Sequence, residues 1–292
     1  MPNKLQQIKR HIRSVESTEK VTSAMKLVSA AKLRREMRRF HFTKENLFEV
    51  TKTLGAIAVS NQVVPNRWFE RGKGKDLVVV LGSSQGFCGS FNVSLNNEIR
   101  FYEKAHPGSA YYPCGSRVED YLDAMRYSMP FGIGKNPGDM DYSDIEEIAD
   151  LLIQAFSDGK YGKVCLLTTC YVNSIMNRPV LDQLLPLDRK VLLSRFGEKE
   201  VPEPEAEGAE EQETFGAYVL KQYISTFLYC MLKESLVCEY SARRTAMNDA
   251  SENAMAMMDK LHLEYNRERQ EAITNELIEI VSGANAQQAV KN

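Results

Sequence analysis

The chain has 292 residues, 43% of them hydrophobic, and a formal net charge of −2, an ordinary globular profile with apolar material for one large domain or two small ones. No stretch reaches the roughly 18 consecutive apolar residues of a bilayer-spanning helix, and the start lacks the apolar core of a secretory signal, so any membrane association is expected to be peripheral. The six cysteines are scattered without a CxxC pair, which speaks against a metal knuckle or a disulfide framework and for reduced thiols.

The charge is unevenly spread. Eleven Lys and Arg residues, from Lys4 to Arg39, crowd the first forty positions against Glu16, Glu19 and Glu36 alone, so this segment is expected to seek acidic partners. A transit peptide would be poor in acids, and Glu16 and Glu19 count against that reading. From Leu5 to about Ser60 there is no proline, and apolar residues recur at Ile8, Ile12 and Val15, then at Val21, Met25 and Val28, mostly three or four apart. The spacing predicts one helix of about 80 Å.

Pro65 and the Gly72 to Gly74 stretch break that pattern, and the run Leu77 to Leu81 that follows is apolar and rich in valine, which reads as a buried strand opening a new domain. Helical patterns over Asn92 to Lys104, from Ser116, and over Ser143 to Ser157 alternate with strands at Ala110 to Cys114 and Val164 to Val172. That order predicts an α/β sheet. Pro179 and Pro186 bound a last extended stretch, expected as an edge strand. In this reading Cys165 and Cys170 sit about 16 Å apart on opposite faces of a strand, too far to bond to each other. The segment Val201 to Glu213 combines proline with repeated glutamate and reads as a solvated loop. Phe215 to Ser282 lacks proline, with apolar positions at Ala250, Ala254, Met257, Leu261 and Tyr265, then Ile273, Leu277 and Ile280; it predicts a second very long helix that ends at Gly283. Two such helices around one small domain must pair with each other, as an antiparallel coiled coil.

Chemical motifs are sparse. Gly82, Gly86 and Gly89 lie between a strand and a helix, where backbone amides can cradle a phosphate, yet the spacing is not GxGxxG and no Gly-Lys-Ser/Thr triplet is present; a structural turn is the expected reading. His11, His41, His106 and His262 lack the spacing of a metal or catalytic set. Cys88 has no evident base nearby and reads as a small buried side chain. The basic N-terminal helix is compatible with nucleic-acid binding, although its charges share the helix with an apolar seam. No catalytic, cofactor or metal site is expected on this chain.

The segment Ile8 to Lys32, IKRHIRSVESTEKVTSAMKLVSAAK, resembles the N-terminal helix of the ATP synthase gamma subunit family, with Thr18, Ala24, Met25 and Ala30 to Lys32 carrying most of the match. Tyr265 to Ala284, YNRERQEAITNELIEIVSGA, is similar to the family's C-terminal signature. Gly86 to Asn92 resembles a family segment reading Gly-Leu-Cys-Gly-Gly-Phe-Asn, while Ser84 and Gln85 stand where many members have Asp and Arg. The resemblance implies a long antiparallel coiled coil of the terminal helices plus a Rossmann-like α/β domain. The divisions are a shaft helix over 1–64, a globular domain over 75–195, an acidic loop over 196–214 and a second shaft helix over 215–287. It further implies a rotor, itself without catalysis, that turns inside three alpha and three beta subunits and connects through the epsilon subunit to a membrane c-ring. The implied place is the cytoplasmic face of a bacterial inner membrane. Met25 and Lys26 match family positions beside acidic levers of the beta subunits. Arg269, Gln270, Thr274 and Glu276 match a patch near the shaft tip that hydrogen-bonds beta-subunit loops.

Overall fold

The computed structural model describes residues 2–59, 68–132, 134–173, 176–188 and 209–291. Its elements are α1 (Pro2–Val59), β1 (Lys75–Leu81), α2 (Phe91–Ala105), β2 (Ala110–Cys114), α3 (Ser116–Ala124), α4 (Tyr142–Ser157), β3 (Tyr161–Tyr171), β4 (Asn177–Leu185) and α5 (Ala209–Lys291). They divide into two compact units, one of residues 1–28 with 244–292 and one of residues 29–243.

In the larger unit the strands form one sheet in the order β2-β1-β3-β4. β1 runs parallel to both β2 and β3, and β4 returns antiparallel along β3. A parallel strand covered on both faces has no wet side, which explains the unbroken run Leu77 to Leu81. Alternate residues serve opposite cores. Leu77, Val79 and Leu81 pack in a cluster with Ile145, Ala149 and Leu152 of α4 and Leu220, Ile224 and Leu228 of α5. Val78 and Val80 pack in a second cluster with Leu95 and Ile99 of α2 and Val118 and Leu122 of α3. Each fully buried Leu or Ile contributes about 1.5–3 kcal/mol. The sheet is therefore a doubly wound α/β layer, and β4, paired only with β3 among the named strands, is its edge. α4 is started by Asp141, whose carboxylate accepts from Asp144 N at 3.0 Å while Asp144 returns a bond to Asp141 N, a reciprocal cap.

The smaller unit is an antiparallel helix pair. Lys4 pairs with Glu268, Glu19 accepts from Ser251 at 3.2 Å, and Lys26 donates to Asn248 at 3.3 Å. Each step up α1 is thus matched by a step back along α5. Ile8, Val15, Ala254 and Leu261 form its core, with Ile12, Met258 and Tyr265 packed against it.

Four sequence expectations need correction. Val21 and Val28 are more than half exposed, while Thr22 and Ser29 are buried in their place. The buried positions Ile8, Val15, Thr22, Ser29, Glu36 and Thr43 repeat every seven residues, so a seven-residue repeat set at Ile8 outranks side-chain polarity. On α5, Met257 is 48% exposed, and Met258 takes the inward position. Gly283 does not end α5, which continues to Lys291, because a mid-helix glycine costs only about 1 kcal/mol relative to alanine. α5 also begins at Ala209, inside the run read as a solvated loop. Residues 189–208, with most of the expected acidic loop, lie outside the described residues.

Candidate functional site

In a doubly wound sheet the ligand crevice lies beyond the carboxyl ends of the parallel strands, where the crossovers diverge. Here that place follows β1, at the loop Gly82 to Gly89. Gly82 is required by space, since a Cβ there would come within 2.1 Å of Val118 Cγ2. The loop is tied to its own helix start, with Asn92 Nδ2 donating to Ser83 Oγ at 2.8 Å and Ser83 N donating to Asn92 Oδ1 at 3.3 Å.

The loop turns carbonyls, not amides, toward the nearest charge. Arg243 of α5 donates through Nε to Gly86 O at 3.1 Å and through Nη2 to Gln85 O at 3.0 Å. Its Nη1 meets Glu239 Oε1 at 2.7 Å, and both side chains are buried. Burial pushes the Glu239 carboxyl above its ordinary range, and Arg243 pulls it back. A phosphate cradle needs converging N–H donors; this loop instead grips a guanidinium of the same chain. Phe87, at the loop's tip, has φ 60 and is 71% exposed. Arg243 and Glu239 were not among the sequence candidates. Their only sequence signal is the i, i+4 acid–base spacing, which exposed helical pairs share.

The residues marked by the resemblance fall into two groups in the smaller unit. Met25 and Lys26 are half-buried on α1, and Lys26 is engaged with Asn248. Arg269, Gln270, Thr274 and Glu276 are exposed on α5, with Thr274 Oγ1 donating back to Gln270 O at 2.9 Å. The groups stand about 30 Å apart, since Lys4, level with Glu268, is 22 residues from Lys26.

Among the described residues no ion pair or side-chain hydrogen bond joins α1 to α5 beyond Lys4 and Glu268. Ile273, Leu277, Ile278, Ile280 and Val281 are between 45% and 62% exposed. Ile273, Leu277 and Ile280, expected on the paired seam, are instead part of a bare apolar helix end. Among the described residues no helix is long and apolar enough to cross a membrane, and no group of side chains is arranged to hold a metal ion.

The ATP synthase family model matches residues 4–287. A gamma chain of Pelotomaculum thermopropionicum is 31% identical, over 98% of this chain and 99% of its own length. A gamma chain of Acetobacterium woodii, named sodium ion specific, is 29% identical over 98% and 99%. Among solved structures, a chain of the Euglena gracilis mitochondrial ATP synthase OSCP/F1/c-ring assembly matches with TM-score 0.72 and 16% identity, covering 100% of this chain and 97% of its own. A chain of the Tetrahymena thermophila mitochondrial ATP synthase central stalk and c-ring structure matches with TM-score 0.53 and 23% identity, covering 79% and 99%. With a family match along nearly its whole length, a paired-helix unit and a doubly wound sheet whose crevice is closed by its own arginine, this chain belongs to the ATP synthase gamma chain family.

Proposed function

We propose that the chain is the central rotor of an F-type ATP synthase, a non-catalytic subunit that couples ion flow through a membrane sector to ATP synthesis and hydrolysis on partner subunits. The observation that carries this reading is the unpartnered end of α5. Soluble chains rarely leave so continuous an apolar helix face bare unless a partner covers it. Ile273, Leu277, Ile280 and Val281 are exposed there beside Arg269, Gln270, Thr274 and Glu276, a surface suited to an apolar collar with polar loops at its rim. The partners are three alpha and three beta subunits around the helix pair, with the epsilon subunit and c-ring at the larger unit. The work takes place at the cytoplasmic face of a bacterial membrane.

Two unlike helices inside a threefold collar present a different surface to each partner. They stabilise open and closed states of otherwise equivalent sites unequally, and rotation exchanges those states. Shifting one site from 1:99 to 99:1 takes about 5.5 kcal/mol of differential interaction, within reach of several charged and apolar contacts acting together. Met25 and Lys26 face acidic levers, and Arg269, Gln270, Thr274 and Glu276 engage loops at the collar.

Met25→Lys tests this reading, because an added cation beside acidic levers overstabilises one dwell. ATP-driven ion pumping should fall while assembly and stability are kept. Pumping equal to the parent would overturn the lever assignment. Gln270→Leu should slow ATP turnover with assembly intact, and normal turnover would reduce that residue to a surface position.

A further inference from the structure

A second concave site lies in the larger unit, between α1, the start of α4 and α5. It has a volume of about 730 Å³ and is walled by Arg35, Arg38, Arg39, Phe42, Tyr142 and Tyr229, within the roughly 300–1,000 Å³ of small-ligand sites. Its charge is unbalanced. Arg35 Nε and Arg39 Nη1 share a single carboxylate oxygen, Glu36 Oε1, at 2.8 and 3.2 Å, and among the described residues Arg38 has no ion pair. The Lys233 ammonium, buried 4.6 Å above the Tyr229 ring, adds a fourth cation behind the wall.

The apolar part is aromatic. Tyr142 and Tyr229 meet edge to face at 5.3 Å, and the Phe42 ring stands 72% exposed beside them. Guanidinia are the side chains best shaped for bidentate phosphate contacts, and bare aromatic faces stack planar bases.

We propose that this groove binds an anionic ligand carrying an aromatic ring, of the nucleoside di- or triphosphate class, with its phosphates on Arg35, Arg38 and Arg39 and its base against Phe42 and Tyr229. The guanidinia supply the counter-charge, so binding needs no divalent cation. This sets the site apart from the Gly82 to Gly89 loop, whose carbonyls are engaged by Arg243.

The test is photolabelling of the full-length chain with 8-azido-ATP in EDTA, with the modified peptides mapped by mass spectrometry. Saturable labelling of the peptide holding Tyr142 or Tyr229 is expected, with ATP and ADP protecting and tripolyphosphate protecting far less. Arg38→Ala with Arg39→Ala should weaken labelling about tenfold, and Phe42→Ala likewise, equivalent to about 1.4 kcal/mol each; all three positions are on the surface, so an unchanged Tm shows the fold is kept. The proposal is overturned by labelling that does not saturate, by variants that label as the parent does, or by protection from tripolyphosphate equal to that from ATP. An acidic segment of a partner subunit found cross-linked into the groove in the assembled complex would also overturn it.

Discussion

The guanidinium of Arg243 fills the crevice that a doubly wound sheet normally leaves for a ligand, donating to Gly86 O at 3.1 Å while its other side is held by Glu239. Both charges are buried, so removing one leaves the other uncompensated. Arg243→Met should cost about 3 kcal/mol or more, a fall in Tm of about 6 °C or more for a unit of this size. Adding Glu239→Gln should recover part of the loss. Scanning calorimetry decides it, and a single variant within about 1 °C of the parent would remove the latch from the account.

Lys233 carries the opposite expectation. It is buried, with no carboxylate within ion-pair distance among the described residues, and burial holds its ammonium below the ordinary range, against a smaller pull from Glu36. A base with a depressed pKa in the folded state binds fewer protons there than when unfolded, so stability rises with pH between the folded value and the ordinary 10.5. Lys233→Met should therefore stabilise the protein by about 1 kcal/mol near neutral pH, with the advantage shrinking as pH approaches 10.5. Urea denaturation across that range measures it; a destabilised variant at neutral pH would contradict the reading.

The thiols differ in access. Burial pushes Cys114 up to about 12 and Cys230 up to about 11, and Cys165 and Cys238 are raised for the same reason. Cys170 is the one cysteine that is not buried. Cys170 is raised as well, by its partial burial and by Glu234, so access singles it out: iodoacetamide at about pH 8 should modify Cys170 first and leave the other five until the protein unfolds. Rapid modification of Cys88 in the native protein would show that the Gly82 to Gly89 loop opens.

The exposed end of α5 separates assembly from stability. Leu277→Asp with Ile280→Glu should leave the Tm of the isolated chain almost unchanged, within about 0.5 kcal/mol, since neither side chain is packed. The pair should nevertheless weaken association with the partner subunits. A large loss of Tm would mean that this helix face is covered by the chain itself.

The sheet was legible from sequence because β1, β2 and most of β3 are buried on both faces and so read as unbroken apolar runs; the Asp141 cap that starts α4 was not among the sequence signals. The helix pair was legible in kind but misplaced in register. Thr22, Ser29, Glu36 and Thr43 occupy buried positions where a search for apolar residues finds none, while Val21 and Val28 attract attention on the exposed side. Only the seven-residue repeat from Ile8 and Val15 carries the correct face through. The solitary end of α5 was hidden for a different reason. Ile273, Leu277 and Ile280 keep the spacing of a seam, and sequence alone does not say where the last bond to the opposing helix falls. Arg243 was illegible because two of its partners are backbone carbonyls, which leave no trace in side-chain identity, and its pairing with Glu239 has the spacing of any exposed helical pair.

Affinity purification of the tagged full-length chain from its native membranes, with partner identification and an ATPase assay, tests the rotor reading most directly. Recovery of ATP synthase alpha and beta subunits together with ATPase activity is the predicted result. Recovery of the chain alone, or with nucleic acid released by salt, would contradict it.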